Sequence, residues 1–249
     1  MTDIATLFLI GWATAFATGL GAIPVFFLGE RVAAYTAALT GFAAGLMGVA
    51  AIVGLLIPAF QDGSTAVVVV SFLLGVGFLL GTSDLVRRRD EHVAAERALG
   101  TAARRSLLVV FVLFVHSIPE GLAIGTAYAS TVEGLGLFVI LAVALQNVPE
   151  GTATALPMEA AGYPHSRQFW AAVLTSVPQP FAAVGAFALV DYVTALLPAS
   201  FAFAAGAMLA LVVYDLVPNS FTRTSWRSAS VGAGVGGGLM LALSAVLGV

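Results

Sequence analysis

Eight long apolar runs constrain this chain more than any other feature of its sequence. A helix needs about 20 mostly apolar residues to cross the hydrocarbon core of a bilayer. Of the 249 residues, 60% are hydrophobic and only 9% are charged, and the mean hydropathy is +1.02, whereas a soluble domain carries about 25% charged residues. These features predict an all-α, polytopic membrane protein with eight transmembrane helices in a single domain over residues 1–249. The predicted spans 1 to 8 cover residues 4–28, 33–59, 65–86, 105–129, 133–158, 168–190, 194–218 and 228–249.

The arginines predict how these spans are oriented. The chain has ten basic residues, all of them arginine, and each lies in or beside the connections between spans 1 and 2, 3 and 4, 5 and 6, or 7 and 8. Cytoplasmic connections collect basic residues, so the pattern predicts that both termini are extracytoplasmic. The one long connection, residues 87–104, then becomes a cytoplasmic loop between spans 3 and 4. The first apolar run has no basic segment before it and no cleavage site after it, which predicts a retained helix rather than a signal peptide.

The composition also excludes several classes of function. The chain contains no cysteine, which removes disulfides, thiolate metal sites and thiol nucleophiles from consideration. The glycine-rich segment 232–238 superficially resembles a phosphate-binding loop, but it lies inside an apolar span and follows no strand. We interpret it instead as a segment for tight packing between helices. We expect no nucleic-acid partner, no enzymatic activity and no prosthetic group.

Two matched polar segments lie within spans 4 and 5. Residues 116–121 read His-Ser-Ile-Pro-Glu-Gly, and residues 146–151 read Gln-Asn-Val-Pro-Glu-Gly. Both follow the pattern polar-polar-aliphatic-Pro-Glu-Gly. Ionisable side chains inside a membrane are costly, so each of them is by default a candidate for function. Ordinary kinking and close packing of membrane helices explain the prolines and glycines, but they do not explain a histidine and two glutamates at matched positions.

The spacing of these residues predicts a metal site. His116 and Glu120 are four residues apart and share one helical face, as do Gln146 and Glu150 on the next span. Two such helices side by side would surround one point with an imidazole, an amide oxygen and two carboxylates. Imidazole and carboxylate ligands suit zinc and similar divalent ions. Two carboxylates also offset the charge of one divalent ion.

The prolines of the two segments predict kinks in both helices. Pro119 and Pro149 carry no N–H, so the carbonyls of Val115 and Leu145 lose their helical partners. Broken backbone at membrane depth is tolerated where it lines a polar cavity. The glycines that end the two segments add room for the close approach of another helix.

Three further polar residues lie in or near the spans. Asp215 in span 7 would line the ion path or carry a proton, or else be a carboxylate near the membrane surface. Gln179 stands between Pro178 and Pro180 in span 6, and it would be a metal ligand or a helix-to-helix hydrogen bond. Asp84, at the end of span 3, is better explained as an interfacial charge.

Two segments of the chain echo each other. Residues 41–47 of span 2 read Gly-Phe-Ala-Ala-Gly-Leu-Met, and residues 203–209 of span 7 read Phe-Ala-Ala-Gly-Ala-Met-Leu. Internal repeats are common in transporters and would explain the echo. Small residues that let membrane helices pack closely would explain it equally well.

The paired Pro-Glu-Gly segments resemble the signature of the ZIP family of metal transporters (Zrt- and Irt-like proteins). The resemblance extends over the whole chain, because the family has eight helices, outward termini and a long cytoplasmic loop between helices 3 and 4. It implies a first metal site at His116, Glu120, Gln146 and Glu150, and it places Asp215 on the transport pathway. It also implies a neighbouring second site bridged by the two glutamates, and homodimers are frequent in the family. The second site would use Ser117, Asn147 and Gln179.

This chain departs from the family pattern at positions that bear on the number of ions. The position of Gln179 is typically a glutamate in the family, and glutamine removes one negative charge. We therefore expect one tightly bound ion rather than two. Ala59 and Asn219 follow the prolines that end spans 2 and 7, where the family often has glutamate.

These residues predict transport of a divalent metal ion, zinc foremost, across the cell membrane toward the cytoplasm. The ion is the substrate, lipid surrounds the protein, and the resemblance implies an elevator-like movement of the bundle that carries spans 4 and 5. Two alternatives stay open at this point: a metal-binding membrane protein that does not transport, and an intramembrane zinc-dependent hydrolase. The hydrolase is the weaker, because it needs three protein ligands and a nearby base. Only one histidine lies in the predicted spans, and there is no His-Glu-x-x-His motif.

Overall fold

The protein is helical through almost all of the chain that its structure describes. The computed structural model describes residues 2–97, 101–222 and 224–249, and within them eight helices are long and apolar enough to cross a membrane. This confirms the predicted all-α fold with eight spans. Five spans are single helices: span 1 is Thr2–Leu28, span 3 is Thr65–Arg97, span 4 is Thr101–Ala129, span 5 is Leu135–Ala160 and span 8 is Trp226–Leu247.

The other three spans are built from several helical pieces. Span 6 consists of two α-helices, His165–Thr175 and Pro178–Tyr192. Spans 2 and 7 share another order, in which a 3₁₀ segment, an α-helix, a π-helical segment and a short α-helix follow one another. These pieces are Gly29–Tyr35, Thr36–Val49, Ala50–Leu56 and Ile57–Asp62 in span 2, and Thr194–Leu196, Leu197–Leu211, Val212–Leu216 and Val217–Ser220 in span 7.

The connection between spans 3 and 4 is largely helical. Span 3 continues to Arg97 and span 4 begins at Thr101, so most of the predicted 87–104 loop extends these two helices. Residues 98–100 lie outside the described part of the chain. The sides of the membrane on which this connection and the termini lie stay predictions from the arginines, and the single-domain organisation stays a prediction as well.

Cysteine labelling can check the predicted orientation, because the chain has no cysteine of its own. Thr131 lies between spans 4 and 5, Thr224 lies between spans 7 and 8, and both side chains are exposed. In intact cells, we expect Thr131→Cys to react with a membrane-impermeant maleimide and Thr224→Cys to react only after the membrane is opened. The opposite labelling pattern would reverse the orientation, and labelling of both in intact cells would contradict the alternation of the spans.

The prolines of spans 4 and 5 lie inside helices that remain unbroken, and the kinks expected there stay a prediction. Span 4 runs as one helix through Pro119, and span 5 does so through Pro149. Packing against neighbouring helices makes such prolines tolerable in membrane spans. The interruption lies in span 6 instead, at Ser176 and Val177, where Pro178 begins the second helix. Proline suits that position because the first turn of a helix needs no N–H donor there.

The eight spans pack as four close pairs: 1 with 5, 4 with 6, 2 with 8, and 3 with 7. Glycine makes each pair possible, because it lies against a backbone carbonyl of the partner helix. A methyl group added at Gly151 would come within 1.7 Å of the Thr18 carbonyl oxygen, and one at Gly125 within 2.0 Å of the Ala183 oxygen. Small residues thus let the helices approach to backbone contact, which supports the packing interpretation of segment 232–238. Equivalent contacts in the other two pairs join Gly232 to Ala38 and Gly206 to Phe72.

The structure favours an internal repeat as the cause of the echo between spans 2 and 7. Both spans change to a π-helical segment shortly after the echoed residues, at Ala50–Leu56 and Val212–Leu216. Both then end in an α-helix with a proline in its first turn. The helix pairs follow the same relation. When span 1 is matched with 6, 2 with 7, 3 with 8 and 4 with 5, the pair of spans 1 and 5 becomes the pair of 6 and 4, and the pair of 2 and 8 becomes the pair of 7 and 3. Such an exchange is what two repeats related by a two-fold axis require.

The interior of the bundle is formed mainly by spans 2, 5 and 7. Within the apolar stretch of each span, 56% of the residues are buried in span 2 and 61% in spans 5 and 7, against 17% in spans 3 and 8. Large apolar side chains on the outer spans are exposed, among them Leu73 and Val231, as a surface that faces lipid requires. Span 5 therefore carries its polar segment into the centre of the bundle, where it packs against spans 1, 2, 4 and 6.

Candidate metal centre

The seven residues predicted as metal ligands are all buried. None of their side chains is more than 5% exposed. Burial of so many polar groups is costly unless they are hydrogen-bonded to one another or hold an ion. These residues are His116, Ser117, Glu120, Gln146, Asn147, Glu150 and Gln179.

Glu120 is the centre of a hydrogen-bond network. Gln146 donates from Nε2 to Glu120 Oε1 at 2.6 Å, and Gln179 donates from Nε2 to Glu120 Oε2 at 2.7 Å. The carboxyl group is thus held from both sides by amides of spans 5 and 6. The Ser117 hydroxyl lies beside the same carboxyl group.

Glu120 and Glu150 bring two carboxyl groups together. The two groups lie beside each other, and Asp215 is near enough to Glu150 for their charges to interact. Two buried acceptor oxygens next to this pair, Glu150 Oε1 and Gln146 Oε1, receive no hydrogen bond. Buried acceptors without a donor require an explanation. Because carboxylate and carbonyl oxygens are ligands of divalent cations, the residues present fit such an ion.

His116 has a different partner from the carboxyl pair. Its Nε2 shares a hydrogen bond of 3.2 Å with the Ser83 hydroxyl of span 3. Within the part of the chain that the structure describes, no three His, Asp or Glu side chains form a group that could hold a metal ion. The two carboxyl groups and the Gln146 amide therefore lie together, whereas the imidazole does not complete a three-residue group with the carboxyl groups.

Asn147 and Gln179 bond to each other and to span 1. Gln179 Oε1 accepts from the Thr14 hydroxyl at 2.8 Å and from Asn147 Nδ2 at 3.1 Å, while Gln179 Nε2 donates to Asn147 Oδ1 at 3.2 Å. Asn147 Nδ2 also donates to the Thr14 carbonyl oxygen at 2.6 Å. Both amides are thus occupied by protein partners, and Gln179 is a helix-to-helix hydrogen bond in this structure.

Sequence reasoning missed two residues of this site, Thr14 and Ser83. Both are almost fully buried. A single hydroxyl in an apolar run gives no signal, because serine and threonine often bond to the carbonyl of their own preceding turn. Thr14 makes such a bond to the Gly11 oxygen at 2.8 Å, and Thr82 makes one to the Phe78 oxygen at 2.7 Å. Nothing in the sequence distinguishes the first threonine, which reaches the site, from the second.

The two other acidic candidates lie outside the cluster. Asp215 is half-buried in the π-helical segment of span 7 and accepts a hydrogen bond from Asn219 Nδ2 at 3.0 Å. Asp84 is exposed and pairs with Arg88 at 2.8 Å, as expected of an interfacial charge. Asp215 therefore belongs to the surroundings of the site, and Asp84 is independent of it.

The fold and this site together define a class of protein. Eight spans enclose a buried carboxyl pair with open acceptor oxygens, and ionisable groups at membrane depth mark ion pathways. A polytopic membrane protein for transport of a divalent cation is the class that these features describe.

Comparisons with known proteins identify the family. Residues 81–244 match the ZIP zinc transporter family. The chain is 34% identical over 241 residues to the zinc transporter GufA of Myxococcus xanthus, covering 93% of this chain and 95% of that protein. It is 32% identical over 257 residues to the zinc transporter ZIPB of Bordetella bronchiseptica, covering 96% of this chain and 81% of that protein. It is also 34% identical over 245 residues to a protein of Arabidopsis thaliana, of which it spans only 39%. This chain belongs to the ZIP family of zinc transporters.

Membership of this family confirms the class inferred from the sequence. The chain is a multi-pass membrane protein with a metal ion as substrate, from a family of divalent metal transporters. Neither alternative, the non-transporting metal protein or the intramembrane hydrolase, is favoured by these relatives.

Proposed function

We propose that this protein carries Zn²⁺ across the cell membrane toward the cytoplasm, with the ion bound between spans 4 and 5. The observation that carries this proposal is the buried pair of Glu120 and Glu150, where Glu150 Oε1 and the neighbouring Gln146 Oε1 receive no hydrogen bond. The charges of the pair match those of one divalent ion. The names of the relatives GufA and ZIPB support zinc as that ion.

Four side chains would bind the ion in this proposal: those of Glu120, Glu150, Gln146 and His116. The Gln146 amide donates its N–H to Glu120 and leaves Oε1 without a donor. This residue can therefore hold the carboxylate and offer an oxygen to the ion at the same time. His116 would exchange its contact with Ser83 for the ion.

We propose one tightly bound ion rather than two. The amides of Asn147 and Gln179, implied as ligands of a second ion, are engaged with each other and with Thr14. Neither amide brings a negative charge. A second divalent ion beside the same two carboxylates would therefore add positive charge that nothing offsets, and an uncompensated buried charge is strongly unfavourable.

Movement of the ion would involve the bundle of spans 1, 4, 5 and 6. The close pairs 1 with 5 and 4 with 6 share the site between them, so we propose that they move together relative to spans 2, 3, 7 and 8. Asp215 would line the path of the ion between the site and the membrane surface. Lipid would contact the exposed apolar outer faces of the bundle. The protein would form a homodimer, as the resemblance to the family implies.

We infer that the protein moves the ion and does not catalyse a reaction. Its relatives GufA and ZIPB are named zinc transporters, which supports this inference. The acidic residues would serve to hold and release the ion.

Uptake of radiolabelled zinc into proteoliposomes tests the proposal. We expect uptake by the wild type and a decrease of at least about tenfold in His116→Ala. The variant lacks one ligand of the ion, and a loss of about 1.4 kcal/mol of binding free energy lowers the affinity tenfold. The matched control is His165→Ala, which removes a half-exposed histidine that stacks on Phe26 at 4.6 Å, away from the site. Equal decreases in both variants, or no uptake by folded wild type that binds zinc, would contradict the proposal.

A further inference from the structure

Asn147 stands where the family resemblance implies a metal ligand, but its contacts suit another role. It is fully buried on span 5, and both ends of its amide are engaged. One of these contacts cannot be reversed, because Nδ2 lies 2.6 Å from the backbone carbonyl oxygen of Thr14. A carbonyl oxygen can only accept a hydrogen bond. The amide of Asn147 is therefore oriented by the backbone of span 1.

The orientation of Asn147 in turn determines that of Gln179. Asn147 Nδ2 donates to Gln179 Oε1 at 3.1 Å, and Asn147 Oδ1 accepts from Gln179 Nε2 at 3.2 Å. If the Gln179 amide were turned over, its N–H groups would face the N–H groups of Asn147, and its oxygen would face the Glu120 carboxylate. Both contacts would be repulsive. The Thr14 hydroxyl also lies 2.8 Å from Gln179 Oε1, although its one hydrogen is shared with the Gly11 oxygen.

This series of contacts ends on the carboxylate that the ion would share. Gln179 Nε2 lies 2.7 Å from Glu120 Oε2. Two amides thus connect a fixed carbonyl of span 1 to Glu120 on span 4. Groups that orient a metal-binding side chain from behind typically change affinity or activity by about 10–100-fold when they are replaced.

We propose that Asn147 is a positioning residue for zinc transport. The Thr14 carbonyl fixes the orientation of the Asn147 amide, and Asn147 fixes that of the Gln179 amide, which donates to Glu120. Asn147 itself does not bind the ion. This inference rests on the proposed function, and it differs from the ligand role that the resemblance implies for this position.

The substitution Asn147→Asp separates the two roles. Aspartate has the size of asparagine and is a stronger metal ligand, so a ligand at this position predicts an unchanged or lower KM for zinc uptake. A positioning role predicts the opposite. An oxygen then faces the Thr14 carbonyl, and Gln179 turns its N–H groups toward the new carboxylate and away from Glu120. We expect the KM to rise about tenfold, with kcat changed by less than about threefold.

A matched control tests whether any polar loss at this interface has the same effect. Thr18→Val removes a buried hydroxyl that pairs with the Ser176 hydroxyl at 2.6 Å, also between spans 1 and 6. The Thr18 hydroxyl pairs with Ser176 rather than with the amides of the site, and we expect the KM of Thr18→Val within about twofold of wild type. An equal rise in both variants would reduce Asn147 to a packing role and would overturn the inference.

A measurement on the unsubstituted protein decides the matter if the aspartate variant does not fold. The chain has only two asparagines, Asn147 and Asn219, so ¹⁵N-asparagine labelling gives two side-chain amide signals, and Asn219→Ser assigns them. We expect the N–H signals of Asn147 to stay hydrogen-bonded when zinc chloride is added. Loss of these hydrogen bonds on zinc addition would show a ligand and overturn the inference.

The two proposals fail in different ways. Absence of zinc uptake by the wild type contradicts the proposed function. Zinc uptake by the wild type, together with an unchanged or lower KM in Asn147→Asp, contradicts only the positioning role.

Discussion

Zinc uptake by the Glu120→Gln variant is expected to fall at least about 100-fold below the wild-type rate. Glutamine keeps the shape of the side chain but removes one of the two charges that offset the ion. It also places an N–H group against the donors of Gln146 and Gln179, which now bond to the two carboxylate oxygens. Breaking a buried charged arrangement costs about 3–5 kcal/mol, and each 1.4 kcal/mol corresponds to a factor of ten. Initial rates of radiolabelled zinc uptake into proteoliposomes measure the decrease.

Glu133→Gln is the matched control for this experiment. It makes the same chemical change at an exposed residue between spans 4 and 5, and we expect uptake within about twofold of wild type. Glu150→Gln should resemble Glu120→Gln, because the two carboxyl groups interact directly. Wild-type uptake by folded Glu120→Gln protein would refute the placement of the ion at this pair.

The Gly151→Ala variant is expected to lose about 3 kcal/mol or more of its free energy of unfolding. The added methyl group would lie 1.7 Å from the Thr18 carbonyl oxygen, so spans 1 and 5 must separate. Overpacking of a tight interior costs about 1–3 kcal/mol and occasionally more, and the obstacle here is backbone that no rotamer change can move. Thermal unfolding of the purified protein in detergent measures the loss without relying on transport.

Two further alanine variants make this test specific. Gly21→Ala places its methyl group 1.9 Å from the Val148 oxygen, on the other side of the same contact, and should lose a similar amount. Gly185→Ala meets no atom within 4 Å and should keep or slightly increase stability, since alanine favours the helix more than glycine does. Equal stability of Gly151→Ala and Gly185→Ala would mean that spans 1 and 5 do not pack so closely.

The sequence predicts the spans and the acidic pair well because both depend on local patterns. Long apolar runs predict helices of membrane length. The four-residue spacing of Gln146 and Glu150 fixes their common face whatever the rest of the fold does. Glu120 and Glu150 are found because two carboxylates at matched depths have no explanation in packing.

What the sequence does not predict depends on contacts between distant parts of the chain. Thr14 reaches Gln179 across 165 positions, and an apolar run with one threonine contains no trace of that contact. The direction of an amide is also invisible in the sequence, because glutamine offers a donor and an acceptor of almost equal shape. Gln179 was therefore open to interpretation as a ligand, whereas the structure turns its N–H toward Glu120.

The prolines show that a local rule describes only part of what the backbone does. A proline removes a helical hydrogen bond wherever it stands, which predicts kinks at Pro119 and Pro149. Both lie inside continuous helices, and the interruption occurs before Pro178. The local rule predicts the lost hydrogen bond, but packing against neighbouring helices determines whether the helix is interrupted there.

The glycine contacts between paired helices limit which substitutions the protein can tolerate during evolution. Where two side chains meet, an enlargement on one helix can be offset by a reduction on the other, so a second-site suppressor exists. Gly151 and Gly206 instead face the carbonyl oxygens of Thr18 and Phe72, and every amino acid has that same oxygen. No substitution on the opposite helix can make room, so suppressors of a larger residue at these glycines must lie elsewhere, in changes that separate the helices.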